Sequence, residues 1–169
     1  MSHKGFDRRF EMGTMHSQGA RDVVAARMLV PRAVPPGVSA LLRKADAELA
    51  EAARSADPGD RFVHAHLAAI RSAAAVVALR GKPSARSGAR TVWDMLAHAE
   101  PDLAAWSGYF ASGAPLRAAV DAGRPEQVDA ARADELLACA EDFRDEVAML
   151  VDPDAGFSTQ RLTLVPEAS

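Results

Sequence analysis

Asp57-Pro58-Gly59-Asp60-Arg61-Phe62-Val63-His64-Ala65-His66-Leu67-Ala68-Ala69-Ile70-Arg71-Ser72-Ala73-Ala74-Ala75-Val76-Val77-Ala78-Leu79-Arg80 is the stretch that decides the fold class. It opens on a tight turn in which Pro58 suits the first turn of a helix, and after Gly59 no Gly or Pro interrupts it before Gly81. Phe62, Val63, Leu67, Ile70, Val76, Val77 and Leu79 spread over more than one helical face, the pattern of a helix surrounded by others. Alanines at 65, 68, 69, 73, 74 and 75 let neighbouring helices come close, because interaxial distance follows the side chains at the contact. A central, buried helix over Pro58–Arg80 is therefore predicted.

Upstream, Leu41, Leu42, Ala45, Leu49, Ala52 and Ala56 keep a period near 3.6, which predicts a helix over Ser39–Ser55 with Ser39 as its N-cap. The two helices form an αα-hairpin. Residues 1–36, with Gly5, Gly13, Gly19, Pro31, Pro35 and Pro36, read as a loosely ordered arm in which Ala20–Val30 has the pattern of a short helix. Met12 and Met15 offer alternative starts.

Downstream, Gly81, Pro83, Ser84, Ser87 and Gly88 mark a loop, and Thr91-Val92-Trp93-Asp94 has the form of a capping box that opens a short helix. Glu100-Pro101-Asp102 starts another, carrying Leu103, Trp106, Tyr109 and Phe110 and predicted to stop at Gly113, before Pro115 begins a turn to Val120. The last long helix, Asp129–Val151, sets Ala133, Leu136, Leu137, Ala140, Phe143, Val147 and Leu150 on one stripe. Residues 152–169 form a tail in which Phe157–Val165 alternates weakly. The expectation is an all-α protein: an antiparallel helical bundle over residues 37–151 with three long helices and two or three short ones, plugged by Trp93, Trp106, Tyr109 and Phe110.

Composition agrees. Of 169 residues 37 are Ala and only 5% are aromatic, which favours packed helices over a sheet. The net charge of −3 excludes a generally basic nucleic-acid coat and leaves room only for a local basic site. Cys139, the one cysteine, has no thiol to pair with and reads as a small buried hydrophobe of a reducing compartment. No uninterrupted run of about 18 apolar residues is present, and the first residues lack the apolar core of a signal peptide, so a cytoplasmic location is expected and no membrane association. His64 and His66 lie two apart and His98 and Glu100 lack a metal-binding frame, so neither a metal nor a cofactor is expected.

Two groups of residues carry candidate chemistry. Between Arg61 and Trp93 there is no acid, while Arg61, Arg71, Arg80, Lys82, Arg86 and Arg90 supply six positive charges. Arg71, Arg80, Lys82, Arg86 and Arg90 are candidate ligands for a phosphate backbone or a nucleotide. The same charges also suit a solvated loop balancing the acidic stretch from Asp121 to Asp154, which holds eleven acids against three arginines. The second group is Arg61 and His66, residue types able to stabilise charge and move a proton in RNA cleavage. Five residues advance a helix by about 500°, which sets the two roughly 140° apart and calls for a dimer or a distorted helix start if they are to cooperate.

Residues from about Val38 to Val151 resemble the small stand-alone HEPN-domain proteins of the actinobacterial type, HEPN standing for higher eukaryotes and prokaryotes nucleotide-binding. The resemblance rests on three blocks: Arg61–Arg71; Thr91-Val92-Trp93-Asp94-Met95-Leu96 with Pro101 and Trp106; and Tyr109-Phe110-Ala111-Ser112-Gly113. It implies an antiparallel helical bundle, often homodimeric, in a superfamily of metal-independent ribonucleases, toxins of toxin–antitoxin pairs and inactive RNA-binding relatives. Catalytic members carry Arg-x4–6-His late in the domain, with a polar residue after the Arg. Within the matched stretch that spacing falls at Arg61 and His66, early and followed by Phe62, and the last long helix contains no histidine. The resulting expectation is a non-catalytic domain that binds RNA, a nucleotide or a protein partner through the basic loop. A dimeric endoribonuclease using Arg61 and His66, and a purely structural homodimer or scaffold subunit, are the alternatives.

Overall fold

The computed structural model describes residues 33–155, and the expected helix at Ala20–Val30 and the segment Phe157–Val165 lie outside them. The chain divides into two units between Ala33 and Val34, and every described residue but Ala33 belongs to the second. Among the described residues there are five α-helices, α1 (Pro36–Arg54), α2 (Pro58–Arg80), α3 (Val92–Ala99), α4 (Ala104–Asp121) and α5 (Ala130–Val151). Single 3-10 turns sit at Ala85–Ser87, Pro101–Leu103 and Pro125–Gln127, and none of the described residues is in a strand. The protein is an all-α bundle, as its sequence predicts.

Three helix starts follow from local chemistry. The Asp57 carboxylate accepts from the Asp60 N–H at 2.9 Å and caps α2, and Asp129 does the same for Arg132 at 2.7 Å at the head of α5. Thr91 and Asp94 form the reciprocal capping box at α3. The α1 start differs from expectation. Ser39 is not the cap; the helix begins at Pro36, and the Ser39 N–H donates to the Pro35 carbonyl at 3.1 Å. Proline in a first turn has its φ preset and lacks only an N–H that would have no helical partner there.

The larger correction is α4. The helix does not stop at Gly113 but runs through both Gly113 and Pro115 to Asp121. Pro115 removes only the bond its N–H would have made to the Ala111 carbonyl, and burial of Phe110, Gly113 and Ala119 along the same helix outweighs that loss. Its true end is Gly123, at φ 80°, with the Gly123 N–H on the Val120 carbonyl at 2.9 Å and the Arg124 N–H on that of Ala119 at 3.0 Å. The bundle therefore has four long helices and one short one.

α2 is the hub, touching all four other helices. Phe62, Ala65, Ala68, Ala69, Ala73, Ala75 and Val76 are sealed from solvent along it. By length and composition α2 would also be able to cross a membrane, with mean hydropathy 1.6 over 18 residues. In this fold 56% of that window is buried, with Phe62, Ala65, Ala68, Ala69, Ala73, Ala75, Val76 and Val77 packed against its neighbours. α1 turns back along α2, burying Val38, Ala45 and Ala52 seven residues apart, and His64 on α2 meets Glu48 on α1 at 2.8 Å. α5 runs in the same direction as α2, with Asp134 near its start paired to Arg61 near the start of α2. α4 runs opposite to both: Trp106 meets Glu146, whereas Tyr109 meets Arg132 and Glu135.

Aromatic rings fill the space between α4, α5 and α3. Trp93 stacks on Phe110 with centroids 5.4 Å apart, Trp106 lies 5.7 Å from Phe110, and Phe143 of α5 lies 5.4 Å from the same ring. Burying each phenylalanine contributes about 1.5–3 kcal/mol, and the ring geometry adds about 0.5–1.5 kcal/mol per pair. Trp106 and Tyr109 are only half-buried. Each places its polar atom at the edge, the Trp106 indole N–H donating to Glu146 at 2.6 Å and the Tyr109 hydroxyl accepting from Arg132 at 2.9 Å. Cys139 is half-buried as well.

Candidate nucleic-acid interface

The residues between α2 and α3 are held at both ends. α2 closes at Gly81, which takes φ 100° while its N–H reaches the Val77 carbonyl at 2.9 Å. Ser84 to Ser87 make a 3-10 turn in which the Ser87 hydroxyl donates to the Ser84 carbonyl at 2.8 Å and accepts from the Ala89 N–H at 3.2 Å. At the far end the Asp94 carboxylate accepts from the N–H groups of Arg90 and Thr91 at 3.1 and 3.0 Å. These bonds, foremost the one from the Thr91 backbone, hold the Asp94 carboxyl below the usual carboxylate range.

The five candidate cations separate into three kinds. Lys82, Arg86 and Arg90 are exposed, and their side chains have no acidic partner among the described residues. Arg80 is different: its Nε and its terminal nitrogen grip Glu100 at 2.8 and 2.7 Å, across the loop's base. Arg71 is half-buried, with its Nε enclosed and without a hydrogen-bond partner among the described residues. It lies nine residues before Arg80 on the same helix, about 13 Å along the axis, so it stands apart from the loop.

Arg61 and His66 do not meet within the chain. The start of α2 is regular, the Arg61 N–H bonding to the Asp57 carbonyl at 3.0 Å, so the two side chains leave on different faces. The Arg61 guanidinium is spent on the Ser55 carbonyl at 2.9 and 3.2 Å and on the Asp134 carboxylate. His66 faces α4, where its Nε2–H donates to the Phe110 carbonyl at 2.9 Å. The ring is 1% exposed, between Phe62 and Trp93 at centroid distances of 6.4 and 5.8 Å. Burial pushes its pKa down, against a smaller opposing pull from the Phe110 hydrogen bond, so the ring is held neutral with Nδ1 bare.

A second polar cluster was not legible in the sequence. Arg132 lies over the rings of Phe62 and Tyr109, 5.7 and 5.5 Å from their centroids, and donates to the Tyr109 hydroxyl and to Glu135 at 2.9 and 3.1 Å. The participants come from α2, α4 and α5, and nothing in their spacing announces the meeting. Among the described residues no group of three or more His, Cys, Asp or Glu side chains is arranged to hold a metal ion.

The model of the SAV_6107-like HEPN family matches residues 52–148, more than half of the chain, from the end of α1 to the end of α5. The chain therefore belongs to that HEPN family. Compared with curated proteins and with solved structures, the chain finds no match.

Proposed function

We propose that this HEPN domain is a non-catalytic RNA-binding module whose contact surface is the Gly81–Thr91 loop. The observation that carries the reading is the trio Lys82, Arg86 and Arg90, exposed and without an acidic partner among the described residues on a loop tied down at both ends, in a protein whose net charge is −3. Among the described residues these side chains make no ion pair within the bundle. Their favourable partner is an external polyanion, which releases counterions on binding. The non-catalytic part rests on Arg61 and His66, one consumed by Asp134 and the Ser55 carbonyl, the other sealed in the core.

The test is fluorescence anisotropy with labelled single-stranded RNA at low salt. Binding that weakens as salt rises, and weakens again in Arg86→Ala/Arg90→Ala, is the expected result. Absence of binding at low salt sinks the reading.

A further inference from the structure

Resting on that reading, we infer that the loop holds the phosphate backbone of a nucleic-acid strand through three cations and reads neither base nor sugar, with Glu100 keeping Arg80 out of the contact. Arginine guanidinium planes stack on any base alike, so telling unpaired bases apart takes aromatic rings or side-chain amides that pair with base edges. The loop has neither. Between Gly81 and Thr91 every residue other than Lys82, Arg86 and Arg90 is Gly, Pro, Ser, Ala or Thr. The Ser87 hydroxyl is spent inside the loop on the Ser84 carbonyl and the Ala89 N–H, and the Thr91 hydroxyl on the Asp94 N–H, which leaves the loop one exposed hydroxyl, that of Ser84.

The rings of the bundle are committed elsewhere. Trp93, the ring next to the loop in sequence, is buried against His66 and Phe110. Trp106, Tyr109, Phe110 and Phe143 form one connected ring cluster between α4 and α5. What remains on the loop is charge on long, flexible stems, which suits phosphates spaced along a strand.

Arg80 sets the limit on that charge. It sits at the loop's root, and its two-point grip on the largely buried Glu100 neutralises it there. Three phosphates rather than four are then neutralised. For single strands each contributes about −0.7 to the slope of log K against log salt, so the slope is about −2 and affinity falls about twenty-fold from 50 to 200 mM salt.

Anisotropy titrations with oligo(U), oligo(A) and oligo(dT) of one length, at four salt concentrations, test this. The expected result is affinity equal within about threefold across the three probes, a slope near −2, and a slope near zero for Lys82→Ala/Arg86→Ala/Arg90→Ala with unchanged circular dichroism. Glu100→Gln, which frees Arg80, is expected to steepen the slope to about −2.8. A tenfold preference for one probe overturns the claim that bases and sugars go unread, while leaving RNA binding intact. An unchanged slope in Glu100→Gln overturns the role given to Glu100. No binding to any probe removes the binding function itself.

Discussion

The imidazole of His66 donates from Nε2 to the carbonyl oxygen of Phe110 at 2.9 Å, joining the middle of α2 to the middle of α4 inside the core. The joint lies in the turn just before Pro115, whose missing N–H leaves the neighbouring Ala111 carbonyl without its usual helical donor. A residue with the spacing of a catalytic histidine thus serves as a polar rivet of the bundle.

That rivet is sensitive to acid. The ring's pKa is lowered by burial first, with Arg117 acting in the same direction and Phe110 and Asp121 opposing. Below the ordinary value of 6.5 the unfolded chain takes up a proton that the folded chain resists, so stability declines as pH falls from about 6.5. Urea denaturation at pH 7.5 and 5.5 is expected to show this decline. His66→Gln, which keeps a donor for Phe110 but cannot titrate here, is expected to flatten it.

Gly113 and Gly59 are expected to respond in opposite senses to alanine. A methyl at Gly113 meets His66 and Phe62 at 3.4 and 3.6 Å, ordinary contact distances, so Gly113→Ala is expected to raise stability by about 0.5–1 kcal/mol through helix propensity. At Gly59 it meets the Asp57 carboxylate and the Pro125 Cβ, both at 3.0 Å, and Gly59→Ala is expected to cost about 1–3 kcal/mol. Denaturation midpoints for the two variants read this directly.

The protein has a single tyrosine, so its ionisation is readable by absorbance near 295 nm. Burial, and next the Cys139 sulfur, push the Tyr109 hydroxyl up to about 12, with Arg132 pulling the other way. Titration is expected to leave Tyr109 protonated through pH 10 in the folded protein. Because the unfolded chain ionises first, stability is expected to fall as pH rises above about 10. A folded-state transition at pH 10 would contradict the packing around Tyr109.

Labelled RNA incubated with the protein and a chelator is expected to stay intact. Cleavage that disappears in His66→Gln would require His66 to reach solvent and would overturn the non-catalytic reading.

Removing the central ring is expected to be costly. Phe110 is sealed from solvent, stacks with Trp93 and Trp106 and lies tilted against Phe143, so Phe110→Ala is expected to lose about 3–5 kcal/mol, measurable by chemical denaturation.

Local signals were enough to read much of this fold. Pro58 to Arg80 forms α2 with the boundaries its pattern predicts, and Thr91 and Asp94 make the capping box their spacing predicts, because a cap depends on residues three or four apart. The polar character of the Gly81–Thr91 loop and the matched region of the HEPN family are legible in the same way. What depends on distant partners was not. α4 continues through Gly113 and Pro115 because its neighbours bury it, and the local breaker signals lose to that packing. Glu100 sequesters Arg80 from twenty residues away, Asp134 claims Arg61 from seventy-three, and Phe110 turns His66 inward from forty-four. Sequence alone determined which residues carry charge and where most of the helices run. Only the tertiary structure decided which of those charges remain free, because neutralisation and burial depend on side chains that the chain brings together from far apart.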